Sequence, residues 1–242
     1  MKRLDDVLGY KNLHIFQDSN FFSFSLDSII LSNYSDIRLR DKKILDFCTG
    51  NGIVPLILSK RTKNKIIGVE IQEKLVELAN ESIKYNNLED KIEIINDDIK
   101  NYSKNHIEEY DLVLCNPPYF KMEEKNFLSE SEEKRIARHE IKINLEEICN
   151  CAFKVLKNNG NFCLIHRTDR LLEVIDEFRK NKIEPKKIKF IYENTTKEAS
   201  MFLIQGQKYG KVGLKVEEPL ILYERDGSLT KEYKELQEEV RL

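Results

Sequence analysis

An α/β fold, with a mostly parallel sheet and helices on both faces, is what this chain of 242 residues predicts. Three features carry that expectation. From Lys42 onward, apolar runs of strand length alternate with helical segments, the pattern of right-handed crossovers. The first of these strands opens into a turn with two glycines ahead of a helix, Asp46-Phe-Cys-Thr-Gly50-Asn-Gly52. Polar residues suited to ligands (Asp46, Glu70, Asp97, Asp98 and Asn116) fall at strand ends, and such sheets bind ligands outside the carboxyl ends of their strands.

Taken in order, residues 1–40 read as a preface with a strand over 14–17. A helix then starts near Ser25 or Asp27 and runs through Leu31, with Ser25 as its N-cap. Phe21, Phe22 and Phe24 form either core or a lid over a pocket. The core over 41–207 begins with strands at 43–47 and 65–70, each followed by a helix, at 53–61 and 72–86. The second helix carries Leu75, Leu78, Ala79 and Ile83 on one face. Strands follow at 91–95 and 111–115. Residues 121–142 are highly charged without clear periodicity and read as a long loop or mobile lid containing Arg138-His139-Glu140.

Helix resumes over 145–157 and breaks at Asn158-Asn-Gly160. A strand at 161–166, a helix at 170–179 and strands at 186–192 and 199–206 complete the core, the last two as an antiparallel edge pair. The extension over 208–242 holds a short strand at 220–223 and a polar helix at 230–240 capped by Thr230. With no internal repeat and no Pro- or Ser-rich linker, one domain over 1–242 is expected.

Composition narrows the function classes. Apolar residues make up 40%, charged residues 34%, and the formal charge is −2. No global basic field marks the chain for nucleic acid, although a local patch suffices for an RNA. The cysteines Cys48, Cys115, Cys149, Cys151 and Cys163 include no C-x-x-C pair and read as buried free thiols. The histidines lack metal-ligand spacing, so no metal is expected. The first residues are not a signal peptide, and no apolar run reaches membrane-spanning length. A cytoplasmic location and no membrane partner are the expectations.

The turn Asp46–Pro55 reads as a cofactor loop, with Asp46, Thr49, Gly50, Asn51 and Gly52 around the ligand. The glycines allow close backbone approach, and the helix start behind them favours a carboxylate or phosphate. A dinucleotide would want a third glycine where Pro55 stands. S-adenosylmethionine needs only the tight turn. Glu70, with Ile71 next to it, is placed to accept both ribose hydroxyl protons. Asp98 is an acceptor for an adenine amino group, and Ile99 supplies an apolar face for the ring. Downstream, the strand Leu112-Val-Leu-Cys115 ends abruptly in Asn116-Pro117-Pro118-Tyr119. The bend presents the Asn116 side-chain oxygen and the Pro117 carbonyl as rigid acceptors for the two N–H bonds of a planar amino group, with Tyr119 against its π-face.

Together these residues resemble the class I S-adenosylmethionine-dependent methyltransferases, in their amino-methylating branch. Wider features are Gln17 with Phe24-Ser-Leu-Asp27, Ala137-Arg-His-Glu140, Glu184-Pro-Lys186, and Gly210-x-x-Gly213-Leu with Pro219-Leu-Ile-Leu-Tyr223. With them the chain is similar to the bacterial adenine-N6 methyltransferases that act beside the anticodon of a valine tRNA. The resemblance runs over nearly the whole chain. It implies a seven-stranded Rossmann-like sheet with a reversed last hairpin, a tRNA adenine as acceptor and S-adenosylmethionine as cofactor. It also implies Asn116, Pro117, Pro118 and Tyr119 as the catalytic tetrad, with Phe24 and Asp27 near the methionine end of the cofactor. The Lys-rich stretches 179–189 and 208–215 are the place for a local RNA patch.

Two alternatives stay open. A glutamine-N5 methyltransferase acting on a protein such as a release factor would use the same acceptors. Those enzymes carry a helical domain ahead of the cofactor loop, whereas the residues before the loop here do not read as a bundle. A non-catalytic nucleotide- or RNA-binding module would share the fold, but it has no need for paired acceptors at a strand end.

Overall fold

The computed structural model describes residues 1–19, 21, 25–118 and 143–237. Tyr119, Phe22, Phe24, Arg138-His139-Glu140 and the expected loop over 121–142 lie outside them.

Two short strands, β1 (Lys2–Asp6) and β2 (His14–Asp18), form an antiparallel hairpin separate from the main sheet. β1 is polar and mostly exposed, so no apolar alternation announces it. Helix α3 (Glu73–Tyr85) holds β2 in place. Asn86 Nδ2 donates to the His14 carbonyl at 2.7 Å while its oxygen accepts from His14 N–H at 3.0 Å, and Ser82 Oγ accepts from Phe16 N–H at 2.9 Å. Ser82 and Asn86 lie four residues apart on one helix face, so they meet alternate backbone groups of β2. Helix α1 (Leu26–Tyr34) follows.

Next come β3 (Lys43–Phe47), α2 (Ile53–Arg61), β4 (Lys65–Glu70), α3, β5 (Ile92–Asn96), α4 (Ile99–Asn105) and β6 (Tyr110–Cys115). After residue 142 the chain continues through α5 (Leu145–Val155), β7 (Leu156–Arg167), α6 (Leu171–Lys180), β8 (Ile183–Asn194) and β9 (Ala199–Lys208). It then runs through β10 (Lys215–Val216), β11 (Leu220–Tyr223) and α7 (Lys231–Gln237).

The sheet order is β10-β8-β9-β7-β6-β3-β4-β5, with β11 also pairing β8. The seven expected strands are present, and β9 alone is antiparallel to its neighbours β7 and β8. The sheet reaches nine strands because β10 and β11 both pair in parallel with β8 beyond β9. β10 has only two residues, too few for a periodic signal.

Alternate residues of the strands feed two cores. Ile44, Ile66, Leu112 and Leu114 pack with Ile29, Ile57 and Ala79 on one face. Leu45, Phe47, Val69 and Val113 pack with Ile99, Ile148, Val174 and Phe178 on the other. Helices α1, α2 and α3 thus cover one face, and α4, α5 and α6 the other.

The helix expected over 145–157 ends at Val155, because Leu156 already pairs with Tyr110 in the β6–β7 ladder. The Asn158-Asn159-Gly160 break therefore lies inside a strand, as an irregularity with Asn159 at φ 62°. Gly160 is required there, since an added Cβ would lie 2.9 Å from the Lys157 carbonyl. Helix α4, absent from the sequence reading, is short and capped by Asp98, whose side chain accepts from Lys100 N–H. As expected, Thr230 caps α7, its Oγ1 accepting from Tyr233 N–H at 3.2 Å.

Candidate active site at the carboxyl edge of the sheet

Strand order reverses beside β3, which has β4 and β5 on one side and β6 and β7 on the other. A crevice opens at such a switch point. The loop that enters it leaves β3 through three left-handed residues, Cys48 (φ 55°), Gly50 (φ 57°) and Gly52 (φ 83°). Thr49 N–H donates to the Val69 carbonyl at 3.1 Å and Gly52 N–H to the Thr49 carbonyl at 3.0 Å. These bonds fold the loop back over β4.

The two glycines serve different ends. A Cβ on Gly52 would lie 3.1 Å from Ala79 Cβ, so this glycine lets α3 pack against the loop. A Cβ on Gly50 would meet nothing within 4 Å, so this glycine exposes backbone to open space. Asn51 Nδ2 reaches the Phe16 carbonyl at 3.4 Å, which ties the loop to the N-terminal hairpin.

A third glycine, missed in sequence, makes the loop possible. Gly68 on β4 stands opposite Asp46 in the β3–β4 ladder. A Cβ there would lie 2.7 Å from Ile94 Cδ1 and 2.8 Å from Thr49 Oγ1. An isolated glycine inside a strand is the sequence signal of such a close approach.

Asp46 is 1% exposed. Among the described residues, neither of its carboxylate oxygens nor Thr49 Oγ1 has a hydrogen-bond partner. Burial pushes the Asp46 pKa up to about 8; the nearby Thr49 hydroxyl opposes the shift and the Glu70 carboxylate adds to it. A neutral acid is the form that such a site tolerates.

Glu70 is 4% exposed and holds the crevice together. Its Oε2 accepts from Gly50 N–H at 2.9 Å, and its Oε1 accepts from Gln72 N–H at 3.0 Å and from Gln72 Nε2 at 3.3 Å. Burial raises its pKa, and these hydrogen bonds oppose the shift. Gln72 was not singled out from sequence. Asn96 Nδ2 adds bonds to the carbonyls of Glu70 and Ile71 at 3.0 and 3.1 Å.

Beside Glu70, Ile71 is 43% exposed and presents an apolar side chain at the sheet edge. Ile99 is 5% exposed and packs into the second core, so the apolar surface at this edge comes from Ile71. Asp98 Oδ1 accepts from Lys100 N–H at 2.8 Å, and Oδ2 lies 3.6 Å from Lys100 Nζ. Asp97 Oδ1 in turn accepts from Asp98 N–H at 2.8 Å.

Across the crevice, β6 ends in Asn116-Pro117-Pro118. Phe47 pairs with Cys115 in the β3–β6 ladder, so Asn116 is level with the start of the glycine loop. Asn116 Nδ2 donates to Ser28 Oγ at 2.8 Å and to Ser25 Oγ at 3.5 Å. This fixes the amide plane and makes the oxygen its acceptor end. Ser25 stands at the N-cap position of α1 with no cap bond from its side chain, because its hydroxyl is turned to Asn116 and to Asp27. Burial raises the Asp27 pKa, and the hydrogen bond from Ser25 opposes the shift. Ser28 was missed in sequence; its trace is the spacing of Ser25 and Ser28 on one helix face. Burial and the adjacent Cys48 thiol raise the Cys115 pKa, which leaves that thiol protonated and inert.

No group of three or more His, Cys, Asp and Glu residues that could hold a metal occurs among the described residues. No described helix is long and apolar enough to cross a membrane.

The chain is similar to known proteins. A tRNA1(Val) (adenine(37)-N6)-methyltransferase from Flavobacterium psychrophilum is 24% identical over 232 residues, covering 94% of this chain and 95% of that protein. The enzyme of the same name from Haemophilus influenzae is 33% identical over 132 residues, covering 54% of this chain and 55% of its own length. The chain thus spans just over half the length of the second relative.

Among solved structures, a protein described as a predicted O-methyltransferase from Agrobacterium tumefaciens superposes with a TM-score of 0.69 at 19% identity, covering 87% of this chain and 94% of its own. A geranyl diphosphate C-methyltransferase from Streptomyces coelicolor, solved with S-adenosyl-L-homocysteine, reaches 0.53 at 10% identity and covers 75% and 76%. Those two likenesses concern the fold. The match that assigns the chain is to the model of the methyltransferase small domain, which runs from the second strand of the hairpin through most of β8, over residues 14–191. By that match this protein is a member of the methyltransferase small domain family.

Proposed function

We propose that this methyltransferase transfers a methyl group from S-adenosylmethionine to the N6 amino group of an adenine in a tRNA, beside the anticodon of a valine tRNA. The observation that carries the reading is the Asn116 amide, locked by Ser28 at the end of β6 and level with the glycine loop of β3. The relatives from Flavobacterium and Haemophilus carry that activity in their names.

S-adenosylmethionine is the family's methyl donor and supplies an electrophilic methyl group on a sulfonium. The crevice fits it. Gly50 exposes backbone to open space, Glu70 stands at the second strand end for ribose hydroxyls, and Asp98 at the third for an adenine amino group. Ile71 offers the adenine ring an apolar neighbour. Thr49, Asn51 and Asp46 underlie the loop, and Asp27 of α1 faces the methionine end.

The acceptor nitrogen of adenine is a weak nucleophile because its lone pair is delocalised into the ring. Asn116 Oδ1 and the Pro117 carbonyl accept its two N–H bonds, which draws the lone pair out of conjugation toward the incoming methyl. Holding the base in this orientation supplies much of the remaining rate, as effective molarity. The protonated product amine is strongly acidic, so no general base is needed. A loop base must be splayed out of its stack to reach the crevice.

The test is methyl transfer from labelled S-adenosylmethionine to a pool of unmodified tRNAs, followed by nucleoside analysis. N6-methyladenosine in one tRNA species is the expected result. Label in protein glutamine, with none in RNA, would replace the adenine reading.

A further inference from the structure

The Lys-rich stretches 179–189 and 208–215 separate in the structure into two kinds of cation. Some belong to the fold. Lys187 bonds Asp36 and lies 3.7 Å from Glu217, and buried Lys189 lies 3.4 Å from Glu232. Lys208 is 2% exposed and donates to Glu108 at 2.9 Å and to the Leu156 carbonyl at 2.7 Å. Arg179 and Lys180 lie near Glu184 at 3.7 Å and Glu146 at 2.7 Å. Among the described residues Lys182, Lys186, Lys211 and Lys215 have no acidic partner.

The fold brings these four to the amino half of β8 and the segment that follows β9, with Lys215 on the side that also carries Asp36, Glu217 and Glu218. Tyr209 N–H donates to the Lys182 carbonyl at 2.8 Å, which locks the turn after β9 to the turn before β8. Lys182 Nζ stands 5.9 Å from the centroid of the Tyr209 ring, which is 52% exposed. Lys186 Nζ donates to the Lys211 carbonyl at 2.8 Å. Lys215 stands beside Lys187 in the β8–β10 ladder, and residues 211–216 are all exposed.

A second copy of the chain docking through this face would set like charges against one another. The chemistry that fits is a polyanion with rings to stack. Unpaired ammonium groups bind phosphates with release of counterions, and an exposed tyrosine between lysines takes an unpaired base.

We infer that Lys182, Lys186, Lys211 and Lys215, with Tyr209, hold the sugar–phosphate backbone of the RNA substrate at a distance from the reacting base. The inference rests on the RNA reading above. Through the β8–β9, β9–β7 and β7–β6 ladders Ile188 is level with Cys115, so Lys186 stands about 10 Å short of Asn116 along the strands at ~3.3 Å per residue. Three strand spacings, about 14 Å, then separate β8 from β6. At Lys186 the surface is therefore about 17 Å from Asn116. It acts on docking, while the chemistry stays at the crevice.

The experiment measures anisotropy of labelled, unmodified tRNA across a salt series, for the full chain and for its K182A/K186A/K211A/K215A variant. Four lost phosphate contacts predict a slope of log affinity against log salt shallower by about three, and binding weaker by about tenfold or more at ~0.1 M salt. Thermal midpoint, cofactor Kd and kcat at saturating tRNA stay unchanged. If the fourfold variant folds poorly, K211E and K215E, both at exposed positions, must each weaken binding. Unchanged affinity and slope overturn the inference, as does a wild-type chain that binds no tRNA. Binding lost in the variant, from a wild-type chain that transfers no methyl to RNA, keeps the surface and removes the adenine reading.

Discussion

Removing the Asn116 amide with Asn116→Ala leaves the β6 backbone and the cofactor loop in place. One of the two acceptors for the nucleophile is lost. The expected outcome is a fall in kcat of about 10²–10³-fold, comparable to losing one oxyanion-hole donor, with cofactor Kd within a factor of two or so of wild type. Single-turnover kinetics with equilibrium cofactor binding read the two quantities, and an equal loss in both would refute the role. Ser28→Ala leaves the amide present but unlocked, and a smaller fall of about tenfold is expected.

Asp46 makes a prediction about pH. The native chain keeps its proton up to about pH 8, whereas an unfolded aspartate releases it near pH ~4. Between these values the native state binds more protons, so the stability gained from the neutral acid is present in acid and lost as pH rises. The slope is about 1.4 kcal/mol per pH unit. Urea unfolding of the ligand-free chain between pH 5 and 8 should show this contribution in wild type, and Asp46→Asn should remove it.

At the scale of elements, two glycines separate space from conformation. Gly68→Ala forces a Cβ against Thr49 and Ile94 beneath the loop and should cost about 1–3 kcal/mol, read by denaturant unfolding. Gly50→Ala meets no atom but needs a left-handed backbone, at about 1–2 kcal/mol. It also places a methyl where backbone faces the ligand, so cofactor Kd should rise about tenfold or more, to be read by calorimetry.

The glycine loop, its flanking strands and α2 were legible because strand, turn and helix signals stand next to one another in sequence. Gly68, Gln72 and Ser28 were not. Gly68 and Ser28 act across the fold and Gln72 through a local bond to Glu70, and none belongs to a motif. Ile99 has the composition of a ring-facing residue, yet the turn into α4 drives it into the core. β1 and β10 were invisible because polar or two-residue strands carry no period.

Over the whole molecule, the mostly parallel sheet followed from alternation and the crossover rule, while the seven strands and the reversed last hairpin came with the family resemblance. The edge was harder. β11 was visible as an apolar run, but nothing in its sequence says that it pairs with β8 beside β10. Charge was harder still. The sequence shows where lysines cluster, whereas their partners Asp36, Glu108, Glu217 and Glu232 come from distant segments. Only folding distinguishes a bracing lysine from an available one.

The bond from Asn116 to Ser28 joins β6 to α1, which precedes the first strand of the main sheet. Donor and acceptor halves of the reaction therefore hang from different parts of the chain. The glycine loop takes its shape from β4 and α3, while the acceptor amide takes its aim from the N-terminal helix. Relatives that change Ser25 and Ser28 but keep Asp27 would inherit a different aim over an unaltered donor pocket, so divergence in which amino group is methylated can proceed through these two serines without retuning the cofactor.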